Sequence, residues 1–484
     1  MFVSVCILGR QPELGLAELE SLYGAAVVSP VGTHAAGLTL AASQVDFARL
    51  GGSTRLANVL GEVSGTSWKQ VEKALLACAK SPALSLPTSG KFHLGISAYG
   101  FDVSPAKLNA LGLTLKKIIR ARHDGSVRLV PNTAAELSTA QVYHDHLAEE
   151  NGAELLVIAA GSTTIIARTV AVQDIDSYTL RDRGRPKRDA RVGMLPPKLA
   201  QIIINLASSE QESQGVKESR SQEWNVHILD PFCGTGVVLQ EALLMGYNPY
   251  GTDLEPRMVE YTQTNLDWLA KTYKLQTTNY KLSPADATTH QWNFTDIQPP
   301  ASTLHIACET YLGRPFTQPP ARDVLEQTVS EVNTIIKKFL QNIHPQLPPA
   351  TRLCLAVPAW SSDVGRRMLD VRRASVITAV ESSARHSHEH GNLDKENSSD
   401  FRSRVRDDEK ANQYSFLKPM AVTSGATDVQ HPTSTVQFRH LPLIDSLPQL
   451  GYKQGVFTHV NTRELVYYRP GQVVGRQLLV LEKV

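Results

Sequence analysis

The run Ile228-Leu229-Asp230-Pro231-Phe232-Cys233-Gly234-Thr235-Gly236-Val237-Val238 decides how the second half of this chain folds. A short apolar segment ends in an acid, turns through two glycines and re-enters an apolar, helix-forming stretch. Glycines let a backbone approach a ligand closely, and the helix that follows offers free N–H groups. A phosphate-cradling loop needs Lys and Ser/Thr after the second glycine, where this chain has Val237-Val238. A dinucleotide fingerprint needs Gly or Ala three places beyond Gly236, where Leu239 stands. Both of these readings fail.

Outward from that turn, strands and helices alternate. Val226–Leu229, Tyr250–Thr252, Tyr280–Leu282, Leu304–Ala307 and Arg352–Val357 read as strands. Helical stretches fall near 237–245, 256–273 and 321–341, the last with Leu325, Val329, Val332, Ile336 and Phe339 on one face. Strands separated by helices predict a doubly wound, mostly parallel α/β sheet. Two last strands, about 464–468 and 476–482, flank Pro470-Gly471 and predict an antiparallel closing hairpin. Residues 381–432 are charged and poor in large apolar groups, which predicts a disordered insertion. Its His386, His388 and His390 lack structured neighbours, so no metal site is expected.

Two further acids follow the next strands. Asp253, in Gly251-Thr252-Asp253, lies 23 residues after Asp230, and Asp286 stands in Ala285-Asp286-Ala287. Carboxylates at strand ends suit a ligand with an ammonium group and a ribose diol rather than a diphosphate. S-adenosylmethionine carries both.

The motifs DPFCGTG, GTD and ADA, in this order, resemble the cofactor motifs of class I S-adenosylmethionine-dependent methyltransferases. More specifically, YTLRDRGRPKRDARVGMLPPKLAQIIINLA followed by ILDPFCGTGVVLQEALLMG resembles an RNA methylase family. That family includes the THUMP-containing tRNA guanosine N2-methyltransferases. The similarity covers roughly 178–360 and the tail YYRPGQVVGRQLLVL. It implies a Rossmann-like methyltransferase domain over 226–484, and over 1–180 an N-terminal α+β RNA-binding region, ferredoxin-like plus THUMP-like. It implies that Asp230, Gly234 and Gly236 hold the methionine end of the cofactor, Asp253 the ribose and Asp286 the adenine, with Phe232 and Ala287 also in the cofactor site. The implied substrate is structured RNA, tRNA above all, and the resemblance leaves room for a small activating protein subunit.

The chain departs from the family after the fourth strand. Amino-methylating members carry Asp or Asn, two prolines and an aromatic there, whereas this chain reads Cys308-Glu309-Thr310-Tyr311. A guanine exocyclic amine has its lone pair delocalised into the ring, so an acceptor for its N–H groups helps it attack a sulfonium methyl. Glu309 is the candidate acceptor and Tyr311 the stacking face. Three other readings stay open: a nucleophilic Cys308, a DNA amino-methyltransferase on the same fold, and a catalytically silent cofactor- and RNA-binding protein.

The first 180 residues mix short strands and helices. Phe2–Leu8, 92–100, 126–130 and 154–173 read as strands, and Glu13–Tyr23 and Leu108–Arg122 as helices. Residues 181–225 form a connector. It opens on Arg181, Arg183, Arg185, Lys187, Arg188 and Arg191, from which Arg181, Arg185, Lys187 and Arg188 are expected to meet RNA phosphates. A proline-opened helix over Gly193–Ala207 and a polar linker at 208–223 complete it. The 484-residue chain carries 49 basic and 47 acidic side chains, which excludes a histone-like polycation, so any nucleic-acid surface must come from local clustering. Five cysteines without a CxxC pair argue against a disulfide framework. With no apolar run of about 18 residues, a cytoplasmic protein is expected.

Overall fold

A computed structural model describes residues 2–189, 194–208, 226–275, 279–292, 294, 304–316, 318–361 and 437–484. The polar linker at 208–223 falls outside these residues except for Ser208, and the insertion at 381–432 with its histidines falls outside them entirely.

The N-terminal strands are β1 (Ser4–Leu8), β2 (Val28–Val31), β3 (Ala35–Leu38), β4 (Ser53–Ser64), β5 (Lys91–Tyr99), β6 (Ser126–Leu129), β7 (Gly152–Ala160) and β8 (Thr163–Val172). They join one sheet in the order β2-β3-β1-β4-β8-β7-β5-β6. The apolar run 155–172 could have been a buried helix. Gly161, at φ +63°, instead turns it into the antiparallel β7–β8 hairpin. The long β4 unites the sheet, because it pairs with β1 near its start and with β8 along its length.

The second half builds β9 (His227–Asp230), β10 (Asn248–Asp253), β11 (Lys281–Pro284), β12 (Leu304–Glu309), β13 (Arg352–Ser361), β14 (Phe438–Arg439), β15 (Tyr452–Gln454), β16 (Val466–Tyr467) and β17 (Val474–Lys483). The sheet runs β11-β10-β9-β12-β13-β17-β15. The pairings from β11 through β13 are parallel, and β17 lies antiparallel to β13. The expected closing hairpin forms, with β16 antiparallel to β17.

Strand alternation sorts this sheet into two faces. Ala307, Cys354, Ala356, Leu478 and Val480 pack in one core with Leu199, Ile203 and Leu206. Their neighbours Ile306, Cys308, Leu355, Leu479 and Leu481 pack in another with Val329, Val332, Ile336 and Phe339 of the Arg322–Ile343 helix. Fully burying an aliphatic or aromatic side chain contributes roughly 1.5–3 kcal/mol, so the apolar stripe on that helix is enough to set which side faces the sheet.

The Pro197–Ala207 helix begins four residues later than the sequence suggested. Pro196 and Pro197 stand in series, and a residue before proline is pushed out of the helical region. Every residue from Leu199 to Ala207 is buried. A helix covered all round must be packed on more than one side. Its core also holds Leu14, Leu19 and Leu22 of the Pro12–Tyr23 helix, so one core spans the two sheets' domains.

A buried polar cluster crosses the same junction. Asn205 Nδ2 donates to Glu18 Oε1 and to the Arg49 carbonyl, each at 2.8 Å. Arg49 donates to Asn205 Oδ1 at 3.0 Å and to the Tyr247 hydroxyl at 2.7 Å. Glu18 also takes the N–H groups of Gly51 and Gly52. Removing one member strands the rest without water. Asn205→Ala is expected to cost about 2–4 kcal/mol in urea denaturation, and an unchanged midpoint would show that the cluster does not hold the junction.

Candidate functional site

The strand order reverses between β9 and β12, and ligands of open α/β sheets bind outside the strand carboxyl ends at such a point. A cavity of about 710 Å³ opens there. It is lined by Asp230, Phe232, Gly234, Asp253, Asp286, Ala287, Glu309 and Tyr311, so residues from four separate strand ends meet in one place.

The glycine turn is fixed from two sides. Gly234 and Gly236 have φ of +52° and +83°. A Cβ at Gly236 would lie 2.8 Å from the Thr262 methyl, so sterics as well as backbone demand glycine there. Thr262 donates to the Gly234 carbonyl at 2.9 Å, and Asn265 Nδ2 donates to the carbonyls of Thr235 and Lys187, each at 2.9 Å. The sequence reading missed Thr262 and Asn265. Both are polar residues inside the buried stripe of the Pro256–Tyr273 helix, beside Met258, Leu266 and Leu269, and that position was a readable signal.

On the other side stands Asp253. Its Oδ2 accepts the Gly234 N–H at 2.8 Å and its Oδ1 the Glu255 N–H at 3.0 Å. Burial raises its pKa against those two N–H groups, and the Glu255 charge adds to the rise. Asp230 is buried, with one oxygen on the Phe232 N–H at 3.1 Å. Burial pushes its carboxyl well above the usual range, that N–H opposes the shift, and the Asp253 and Glu309 charges add to it. Asp286 is exposed, and Oδ1 accepts from the N–H and hydroxyl of Thr288. Leu254, two-thirds exposed, offers an apolar surface on the cavity wall.

Glu309 ends β12, and its Oε1 accepts from Arg476 Nε at 2.8 Å. Tyr311 is 37 % exposed, and its hydroxyl reaches Glu331 at 3.3 Å. Gly313, at φ +85°, turns the chain just beyond it. Cys308 is fully buried on the opposite face of β12, and burial raises its thiol well above the ordinary value. A fully buried thiol that does not line the cavity is not placed to act as a nucleophile in it.

The basic segment divides in two. Arg181 is buried against Glu241 at 2.7 Å and stacks over Tyr178, while Arg185 is buried with no hydrogen-bond partner among the described residues. Neither is placed to meet a surface phosphate, which corrects that expectation for both. Lys187 and Arg188 are exposed, as is Arg183. Lys187 and Arg257 flank the Tyr261 ring at 5.3 and 5.8 Å.

A sheet ordered three, two, one, four, five, seven, six, with its seventh strand reversed and a glycine turn after the first, is diagnostic. The C-terminal domain has the class I S-adenosylmethionine-dependent methyltransferase fold. No protein-family model matches the chain. It is 30% identical over 168 residues to a tRNA (guanine(10)-N2)-dimethyltransferase of Methanothermobacter thermautotrophicus, covering 35% of this chain and 40% of that one. A protein of the same description from Pyrococcus abyssi is 33% identical over 138 residues, or 28% of this chain and 34% of its own. The chain thus spans less than half the length of these curated relatives. TrmN from Thermus thermophilus aligns over 100% of this chain and 99% of its own at 16% identity, with a TM-score of 0.44, too distant to argue from.

The donor set of this methyltransferase-fold domain fits S-adenosylmethionine. Asp230, Asp253, Asp286 and Glu309 make the crevice hostile to a diphosphate and receptive to an ammonium group and a diol. An ammonium-binding role for Asp230, whose carboxyl is pushed up by burial, predicts that affinity for S-adenosylhomocysteine increases as pH rises from acid towards neutral. Calorimetry across that range is the check. Asp230→Asn should bind weakly and with a flatter profile, and an unchanged profile would remove Asp230 from ammonium binding.

Proposed function

We propose that this chain is an S-adenosylmethionine-dependent RNA methyltransferase acting on the exocyclic N2 amine of a guanosine in tRNA. The observation that carries the reading is that one cavity unites the three aspartates with a hydrogen-bond acceptor, Glu309, and an exposed aromatic, Tyr311, at its mouth. The similarity to tRNA (guanine(10)-N2)-dimethyltransferases supports the amine of guanine in tRNA among the acceptors such a site could serve.

In this reading Asp230 pairs with the cofactor's ammonium, and the backbone of the Gly234–Gly236 turn leaves room for its methionine end. Asp253 accepts the ribose hydroxyls, and Asp286, Ala287 and Leu254 bracket the adenine. When bound, S-adenosylmethionine supplies an electrophilic methyl group on a sulfonium. Tyr311 stacks on a guanine taken out of its helix, as enzymes that modify bases require. Glu309 has one oxygen on Arg476, and its other oxygen accepts the amine N–H. That contact orients the nitrogen lone pair and gives the proton shed by the methylated amine a place to go. Residues 1–180, with ferredoxin-like and THUMP-like parts, hold folded RNA by shape and backbone. Lys187 and Arg188 contact phosphates beside the site.

The loop Cys308-Glu309-Thr310-Tyr311 departs from the family's acid-Pro-Pro-aromatic pattern, which favours a second reading as a silent binder. Incubating the protein with methyl-labelled cofactor and either tRNA or duplex DNA separates these readings. Label in tRNA that digests to N2-methylguanosine is expected. Label in DNA would point to a DNA enzyme, and none in either to a binder. Asp253→Ala should weaken cofactor binding by at least about tenfold in calorimetry, the loss of about one charge-assisted hydrogen bond. Glu309→Gln should slow turnover at saturating cofactor, and wild-type turnover would exclude Glu309 from the chemistry.

A further inference from the structure

Glu309 does not stand alone. The residue before it, Cys308, is turned by strand alternation into the core under the Arg322–Ile343 helix. Glu309 belongs to the opposite face, the one that also carries Ala307, Ala356 and Leu478. Arg476 lies two residues from Leu478 along β17, so it shares that face. In register, Glu309 sits across from Ala356 on β13, and Arg476 across from Pro358. The arginine therefore has to cross β13 to reach the carboxylate.

We infer that Arg476 is the positioning residue of this site, holding Glu309 by one oxygen so that the other stays aimed into the cavity as the amine acceptor. Two facts support a role beyond sheet stability. The pair is nearly enclosed, with side-chain exposures of 11% for Arg476 and 15% for Glu309, which is where a guanidinium–carboxylate bond constrains geometry most. Glu309 is also close enough to Asp230 for its charge to influence that buried carboxyl, and Asp253 adds a third acid. Three carboxylates so close repel one another. Arg476 supplies the compensating cation at the one that has to contact substrate, leaving Asp230 and Asp253 for the cofactor. An acid at the end of β12 is thus clamped by an arginine from the last strand.

The inference rests on the proposed role of Glu309, and a double-mutant cycle tests the two separately. The full-length protein and its Arg476→Met, Arg476→Lys, Glu309→Gln and doubly substituted Arg476→Met/Glu309→Gln forms are assayed with tRNA and methyl-labelled cofactor. Thermal unfolding and S-adenosylhomocysteine affinity are recorded for each. Arg476→Met is expected to lower kcat by about a hundredfold, the low end of what a positioned acid–base group contributes, with KM for tRNA and cofactor affinity within about twofold. Arg476→Lys should recover part of the loss by keeping the charge without the planar fork. Adding Arg476→Met to Glu309→Gln should cost little more. A full additional loss in that background, or a fall in cofactor affinity parallel to kcat, would make Arg476 a structural residue and overturn the inference. So would wild-type kcat in Arg476→Met. If Arg476→Met does not fold, Arg476→Lys alone decides, by whether kcat falls while KM holds. Wild-type turnover in Glu309→Gln would instead refute the reading of Glu309 itself.

Discussion

Crowding of like charge at the carboxyl edge of a parallel sheet is the constraint on which this site depends. Parallel strands all end on the same side, so acids that lie far apart in sequence, such as Asp230, Asp253 and Glu309, finish within reach of one another. Each is stabilised by a different device. Asp253 takes two backbone N–H groups, Asp230 takes one and is held by burial towards its neutral form, and Glu309 takes an arginine. Under the proposed function these differences suit the carboxylates to different tasks, since a group satisfied by backbone stays put while one held by a single oxygen keeps a face free.

The same logic of satisfied polar groups explains how the two halves of the chain stay together. The Pro197–Ala207 helix is apolar enough to sit in the core that spans both halves, yet apolar contact alone would tolerate sliding. Asn205 and Arg49 add direction, because each bonds to groups from the other half. Among the described residues no helix is long and apolar enough to cross a membrane, and this junction accounts for the most continuous apolar segment of the connector.

Much of the fold could be read from the chain because it rests on local signals. The stripe of Val329, Val332, Ile336 and Phe339 predicted its helix, Pro470-Gly471 marked a turn, and the glycine turn after Asp230 excluded phosphate-binding alternatives. Legibility failed where one residue type has two outcomes. Arg181 and Arg185 look like Lys187 and Arg188 in a basic run, and nothing local shows that the first two are buried and the others exposed. Partnership with Glu241, 60 residues away, is a tertiary fact.

Sequence by itself determined the alternation of strands and helices, the glycine turn and the order of the acids that follow it, because these depend on backbone sterics and hydrophobic period. Only tertiary structure decided which acid faces the cavity after Cys308 turns inward, that Thr262 and Asn265 brace the turn, and that Arg476 reaches Glu309 across Ala356. Those outcomes hinge on which strands become neighbours. Pairing of β13 with both β12 and β17 joins residues 167 positions apart, a separation at which no local pattern carries information.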